Sequence, residues 1–67
     1  MKNRLKVARA EMDITQEELA KRIGVSRQTI NAVESGRYVP STLLALKMAK
    51  VFGKSVEEVF ILEESDI

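Results

Sequence analysis

The chain has 67 residues, of which 45% are hydrophobic, and it contains no cysteine and no histidine. A chain of this length forms one domain with a small core, so its stability is modest or shared with a partner subunit. The composition excludes disulfides, thiolate chemistry, histidine-based triads and the commonest zinc sites. No segment predicts a membrane span or a signal peptide, so we expect a cytoplasmic protein without a metal or cofactor.

The net charge of +1 is small, but it is distributed unevenly along the chain. Residues 1–40 hold eight basic and five acidic side chains, a net charge of +3. Residues 41–67 hold three basic and five acidic side chains, a net charge of −2. A basic half is typical of a protein that is steered towards nucleic acid, although an excess of this size also arises by chance.

The first predicted helix runs from Lys2 to Met12. Leu5, Ala8 and Met12 recur at helical spacing and form an apolar stripe. Residues 13–14 follow as a turn, and the isoleucine within it is expected to pack inward.

A second helix is predicted after Thr15, which has the spacing of a capping box with Glu18. Gly24 stands where a helix often ends in a left-handed residue. Between these two signals, three apolar residues recur at helical spacing and define a buried face: Leu19, Ala20 and Ile23.

A third helix is predicted from about Arg27 to Ser35, with Ser26 as its cap and Gly36 after its end. Ile30 and Val33 form its buried side. Two helices of about eight residues joined by a turn of about four match a helix-turn-helix, a motif that places its second helix in the major groove of DNA. The alternative is an ordinary helical bundle that binds nothing, since short capped helices also occur there.

Two more helices are predicted in the second half of the chain. One spans about Thr42 to Phe52, between the cap Ser41 and Gly53. The other begins after the cap Ser55, with its apolar face formed by Val56, Val59 and Phe60. Glu58 has the spacing of a second capping box, and no alternating run is long enough to predict a sheet.

The sequence TQEELAKRIGVSRQTINAVESG, followed by Pro40 and by TLLALKMAKVFGKSVEEVF, resembles the Cro/C1-type helix-turn-helix family of phage-repressor-like regulators. The resemblance covers roughly residues 4–60. It implies an all-α fold, a compact bundle of five short helices like that of lambda repressor, in which helices 2 and 3 form the helix-turn-helix. We expect this DNA-binding domain to span residues 1–62, with residues 63–67 as a short acidic tail.

The resemblance also implies an ion pair between the first and third helices. In the family, an arginine and a glutamate at the positions of Arg9 and Glu34 form a largely buried pair, and we expect the same here. The alternative is that Arg9 is solvated or contacts a DNA phosphate. We expect no catalytic residues, and we do not expect the chain to be an enzyme.

The exposed face of the third helix is expected to read DNA bases. Gln28 is suited to bidentate pairing with adenine and Arg27 with guanine, although Arg27 could instead hold a phosphate. Asn31 could bond a base or a phosphate. Ala32 could touch a thymine methyl group or simply leave clearance, and Thr29 could direct its hydroxyl to DNA or pack its methyl group inward.

Phosphate contacts are expected at the edges of this face. Gln16 lies in the first turn of the second helix, where free N–H groups and a partial positive charge favour phosphate. Ser26 could contribute its hydroxyl or its backbone. Arg37 and Tyr38, in the loop after the third helix, complete the set. Such contacts fix the register on DNA but carry no base information.

A homodimer is expected because one recognition helix reads only a few base pairs, whereas two can read half-sites about one helical turn apart. The fourth helix and the tail hold more apolar residues than one buried face needs. We expect Leu44, Val51, Ile61 and Leu62 to contribute to the dimer interface, with the tail pairing as a short strand with its twin. The alternative is that these side chains cover the core of their own chain.

The sequence therefore predicts a regulator of transcription that binds double-stranded DNA, most simply a repressor that occupies its operator. A different class of function is an antitoxin-like interaction module that neutralises a partner protein through the same apolar surface. Both roles are compatible with the resembling family, in which antitoxins often regulate their own operon.

Overall fold

The structure is a computed structural model that describes all residues from Met1 to Ile67. Five helices account for most of the chain, as predicted. The elements in order are strand β1 (Lys2–Asn3), helices α1 (Leu5–Met12), α2 (Gln16–Ile23), α3 (Arg27–Glu34), α4 (Thr42–Phe52) and α5 (Val56–Val59), strand β2 (Phe60–Ile61) and a 3₁₀ turn (Glu64–Asp66).

Side-chain caps begin the three central helices, as their sequences predict. The hydroxyl oxygens of Thr15, Ser26 and Ser41 each accept a hydrogen bond from the backbone N–H three residues later, at 3.0, 3.2 and 3.2 Å. Each cap satisfies an N–H that has no partner inside its helix. The starts of α2, α3 and α4 are therefore fixed locally.

The two predicted capping boxes differ. At α5 the carboxylate of Glu58 accepts a hydrogen bond of 2.8 Å from the backbone N–H of Ser55. At α2 the carboxylate of Glu18 accepts instead from Nε of Arg22, one turn further along the helix, at 3.2 Å. The box predicted at Thr15 is therefore only half formed, because Glu18 has a cationic partner on its own helix face.

The core lies between all five helices and includes the first residue of β2. Its most deeply buried members are Leu5, Leu19, Ile30, Val33, Met48 and Val59. Met12 was expected on the inner stripe of α1, but 37% of it is exposed. The reason is that α1 ends at Met12, and Asp13 turns the chain away with a left-handed φ of 55°.

A two-stranded antiparallel sheet joins the two ends of the domain. The sequence predicts a short strand near the tail that pairs with its twin, whereas in the structure this strand pairs with the start of its own chain. Lys2 pairs with Ile61 and Asn3 with Phe60. The predicted first helix is consequently too long, since it begins at Leu5 and not at Lys2. Strands of two residues carry no periodic signal, and their partners lie at opposite ends of the sequence.

The acidic end of the chain contacts Met1. The α-amino group of Met1 lies 3.1 Å from carboxylate oxygens of both Glu63 and Asp66. A hydrogen bond to Glu63, and to a smaller extent one to Asp66, raises the pKa of this amino group above its ordinary value. These contacts extend the link made by the sheet. The domain boundary predicted after residue 62 remains a prediction.

Candidate nucleic-acid interface

Helices α2 and α3 pack against each other and present one face of α3 to solvent. The opposite face of α3 is buried through Ile30 and Val33, which are at most 1% exposed. Gly24, with a left-handed φ of 86°, ends α2 and turns the chain into α3. The predicted helix-turn-helix is therefore present, with the outward face of α3 free of covering elements.

Arg27 and Gln28 stand in the first turn of α3, and both are exposed. Neither side chain makes a hydrogen bond or an ion pair within the protein. The donors of Arg27, and both the donor and acceptor atoms of Gln28, are consequently available to a ligand. The first turn of α3 also has no acidic residue that would repel a phosphate.

Ser26, Thr29 and Ala32 are less available than these two residues. The hydroxyl groups of Ser26 and Thr29 lie 3.0 Å apart and share a hydrogen bond, and Ser26 also caps the helix. Thr29 and Ala32 are half-buried. The sequence left open whether the hydroxyl of Thr29 reaches DNA or its methyl group packs inward, and in the structure the hydroxyl contacts Ser26.

The ion pair between Arg9 and Glu34 links α1 to the end of α3. Nε of Arg9 lies 2.6 Å from Oε2 of Glu34, and Nη2 lies 3.1 Å from Oε1, in a two-bond fork. The side chains are 16% and 8% exposed. Nη1 of Arg9 also donates to the backbone oxygen of Ile14 at 3.0 Å. The hydrogen bonds to Glu34 raise the pKa of Arg9, so the guanidinium stays charged.

A chain of polar contacts runs from this ion pair to the surface of α3. Nε2 of Gln16 donates to Oε1 of Glu34 at 3.3 Å, and Nδ2 of Asn31 donates to Oε1 of Gln16 at 3.5 Å. Nη2 of Arg37 donates to Oδ1 of Asn31 at 3.0 Å. Three of the predicted DNA-contacting side chains, those of Gln16, Asn31 and Arg37, are therefore in contact with one another.

The loop after α3 is fixed to the helix that it leaves. The backbone N–H groups of Arg37 and Tyr38 both donate to the oxygen of Ala32, at 3.0 and 3.2 Å. This reversal requires a left-handed φ of 81° at Gly36, a conformation that glycine adopts without strain. Tyr38 is 48% exposed, beside α3.

Asn3 positions the end of α3, and sequence analysis missed it. Its Nδ2 donates to the backbone oxygens of Val33 and Glu34, at 2.9 and 3.4 Å. Its Oδ1 accepts from the N–H of Leu5 at the start of α1. Asn3 lies one residue before Arg4, the N-cap of α1, and its contacts with α3, some 30 residues away, leave no trace in the sequence.

The apolar surface differs from the one predicted. Leu44 was expected to be exposed at a dimer interface, but it is only 8% exposed, because it faces the core from the first turn of α4. Val51 is half-buried, whereas Ile61 and Leu62 are 38% and 65% exposed. On the side of α4 that lies near Met1 and Phe60, the exposed leucine is Leu46, at 53%.

Leu46 borders an open cavity of about 290 Å³, called here the apolar groove. It lies between α4, α5 and the loop that follows α3. Most of its lining is hydrophobic, including Met1, Val39, Pro40, Ala45, Leu46 and Phe60. Val39 follows directly on Tyr38, so the apolar groove begins where the candidate nucleic-acid interface ends.

No group of three or more Asp and Glu side chains is arranged to hold a metal ion. None of the helices has both the length and the apolar character needed to cross a membrane.

The sequence is similar to those of known helix-turn-helix proteins. The sequence model of a family described as helix-turn-helix matches residues 5–59. An uncharacterized HTH-type transcriptional regulator of Methanocaldococcus jannaschii is 56% identical over 66 residues, covering 98% of this chain and 100% of its relative. The uncharacterized HTH-type transcriptional regulator YgzD of Bacillus subtilis is 52% identical, with the same coverage.

A third relative has a more specific name. The cryptic phage CTXphi transcriptional repressor RstR of Vibrio cholerae is 34% identical over 65 residues. The match covers 97% of this chain and 59% of that repressor.

Proposed function

We propose that this chain, which belongs to the helix-turn-helix family, regulates transcription by binding double-stranded DNA as a homodimer and represses by occupying its operator. One observation carries the proposal. The outward face of α3, the second helix of the helix-turn-helix, presents Arg27 and Gln28 without internal partners. The relatives named as transcriptional regulators and as a repressor support the same function.

In this proposal the first turn of α3 lies in the major groove. Gln28 pairs with an adenine through its amide, and Arg27 with a guanine or a neighbouring phosphate. Ala32, half-buried one turn further along, leaves clearance for the groove or meets a thymine methyl group. Because both long side chains are exposed and unpaired, they reach the base edges without breaking a contact inside the protein.

Phosphate contacts flank this helix. The N-terminus of α2, with Gln16 in its first turn, offers N–H groups to one phosphate. The loop after α3 offers Arg37 and Tyr38 to another. Ser26 contributes through its backbone N–H, since its hydroxyl is bonded to Thr29. Thr29 is the least available of the predicted residues, because its hydroxyl and its backbone N–H both contact Ser26.

Dimerisation follows from the size of the recognition helix. A helix of eight residues is about 12 Å long, whereas successive major grooves on one side of DNA lie about 34 Å apart. The longest dimension of the chain is 32 Å. A second copy is therefore needed to read a two-fold operator.

The apolar groove and the exposed Leu62 are the surface that we assign to this pairing. The sequence also predicts Val51 and Ile61 for the interface, but they line other clefts, Val51 beside α2 and Ile61 beside α1. The location is favourable, because contacts there would place the loops carrying Arg37 and Tyr38 of the two copies near each other. Exposed apolar patches of this kind commonly mark protein interfaces.

A second occupant of the apolar groove is a different protein, such as a toxin, which would make the chain an antitoxin-like module. The observation that favours this alternative is the same groove, since it does not itself distinguish a twin from another chain. Sedimentation of the purified protein separates them. A dimer at micromolar concentration supports self-pairing, whereas a monomer that co-purifies with one other chain supports the alternative.

The test of DNA binding is the selection of bound sequences from a random duplex pool at two salt concentrations. We expect an enriched motif with two-fold symmetry and half-sites about ten base pairs apart. Enrichment should persist at higher salt, since base contacts are less sensitive to ions than phosphate contacts are. Weak binding without any enriched motif would contradict the proposed function.

A further inference from the structure

The polar chain from Glu34 to Arg37 has a fixed direction. A carboxylate only accepts hydrogen bonds, so Gln16 must turn its amide nitrogen towards Glu34 and its amide oxygen away from it. That oxygen faces Asn31, which must therefore turn its own nitrogen to Gln16 and its oxygen outward. The outward oxygen meets Arg37, whose guanidinium only donates.

The side-chain amides of Gln16 and Asn31 each have only one orientation that satisfies both hydrogen-bonding neighbours. Turning Asn31 over would point its nitrogen at the guanidinium of Arg37 and its oxygen at the oxygen of Gln16, which gives two mismatched contacts. The partly buried Arg9–Glu34 fork, at 2.6 and 3.1 Å, holds the first acceptor in place. The fixed position of Glu34 therefore restricts the orientations of Gln16, Asn31 and Arg37 through successive hydrogen bonds.

Arg37 is held at a second point. Its Nε donates to Oγ of Ser35 at 3.0 Å, and that hydroxyl in turn donates to the backbone oxygen of Ala32 at 3.1 Å. A long arginine side chain ordinarily loses much rotamer freedom when it binds a ligand. Here Asn31 and Ser35 restrict that freedom before any ligand arrives.

We propose that Asn31 is a positioning residue, which orients Gln16 and Arg37 for two phosphates, and that it does not read a base. This inference rests on the proposed function. Bidentate pairing with adenine would use the same oxygen and nitrogen that now contact Arg37 and Gln16. Gln28, which has no internal contact, remains the residue that reads the base.

The test compares Asn31→Ala, Arg37→Ala and the double variant, with Gln28→Ala as the matched control on the same helix face. Affinity is measured for the duplex recovered by selection and for a scrambled duplex of the same length. We expect Asn31→Ala to weaken binding of both duplexes by a similar factor and to leave the selected motif unchanged. The loss of affinity in the double variant should be more than about twofold smaller than the product of the two single losses. Gln28→Ala should change the motif at one position of each half-site.

Two results would overturn the proposal: a motif altered at one position by Asn31→Ala, or single losses that multiply in the double variant.

A measurement without DNA separates failure of the positioning role from failure of the proposed function. The order parameter of the Arg37 Nε–Hε group should fall in free Asn31→Ala protein. If the wild type binds neither duplex, the proposed function fails, and an unchanged order parameter would overturn the positioning role independently.

Discussion

Replacement of Arg9 by alanine should destabilise the fold before it affects recognition. The variant loses the two-bond fork to Glu34 and the bond to the oxygen of Ile14, and it leaves a carboxylate that is 8% exposed without a cation. Breaking a buried ion pair on one side costs about 3–5 kcal/mol. Because this pair is only partly buried and Gln16 still donates to Glu34, we expect the lower end of that range.

This loss is large for so small a domain. A chain of 67 residues is stabilised by about 3–10 kcal/mol in total. At about 4–8 °C per kcal/mol, the melting temperature of Arg9→Ala should fall by at least about 12 °C. Thermal unfolding followed by circular dichroism measures the change.

Two comparisons make the experiment specific. Lys6→Ala, at an exposed position on the same helix without an ion pair, should change stability by no more than about 0.5 kcal/mol. The double variant Arg9→Met, Glu34→Leu removes both charges and should be more stable than Arg9→Ala. A melting temperature of Arg9→Ala within a few degrees of the wild type would refute the reasoning.

Three further outcomes are expected. Gln28→Ala should cost about 1–3 kcal/mol for the preferred operator and relax one base position, as read by repeated selection; an unchanged motif would exclude Gln28 as a base reader. Leu46→Asp should shift the protein to monomer in sedimentation while Val7→Asp, an exposed apolar residue of α1 lining a different cleft, leaves a dimer; equal behaviour of the two would contradict the assigned surface. A hydrogen bond from the backbone N–H of Ser55 lowers the pKa of Glu58 below its ordinary value of 4.5. The contribution of this carboxylate to stability is therefore complete above pH 4.5 and is lost as pH falls through the lower folded pKa. Urea midpoints from pH 6 to pH 3 should therefore show a wild-type advantage over Glu58→Gln that diminishes as pH falls, and an advantage of the same size at every pH would contradict this role.

Local signals account for the helices. The hydroxyl caps at Ser26 and Ser41 act on an N–H only three residues away, so their effect is legible in the sequence. The buried face of α3 follows in the same manner from Ile30 and Val33. The bundle of five helices could be predicted because each helix start, helix end and apolar stripe is encoded within about ten residues.

The remaining features depend on contacts between distant residues. The pairing of β1 with β2, and the bonds from Asn3 to the end of α3, join residues that no periodicity relates. Burial of Leu44 is of the same kind, since an apolar helix such as α4 does not reveal by its sequence which of its leucines faces the core.

The candidate interface was only partly accessible from the sequence. Residue type and helix position indicated Arg27 and Gln28, because an exposed first turn needs no tertiary information. The roles of Gln16, Asn31 and Arg37 depend on where their amides and guanidinium meet. A list of suitable side chains could not show that these three contact one another.

The measurement that most directly tests the central claim is an NMR titration of the ¹⁵N-labelled protein with the selected duplex. The account predicts that the largest shift changes fall on the first turns of α2 and α3 and on Arg37 and Tyr38, with little change on the outer face of α1. Changes centred on Leu46 and the apolar groove, or none at all, would contradict the claim that α3 is the DNA-reading element.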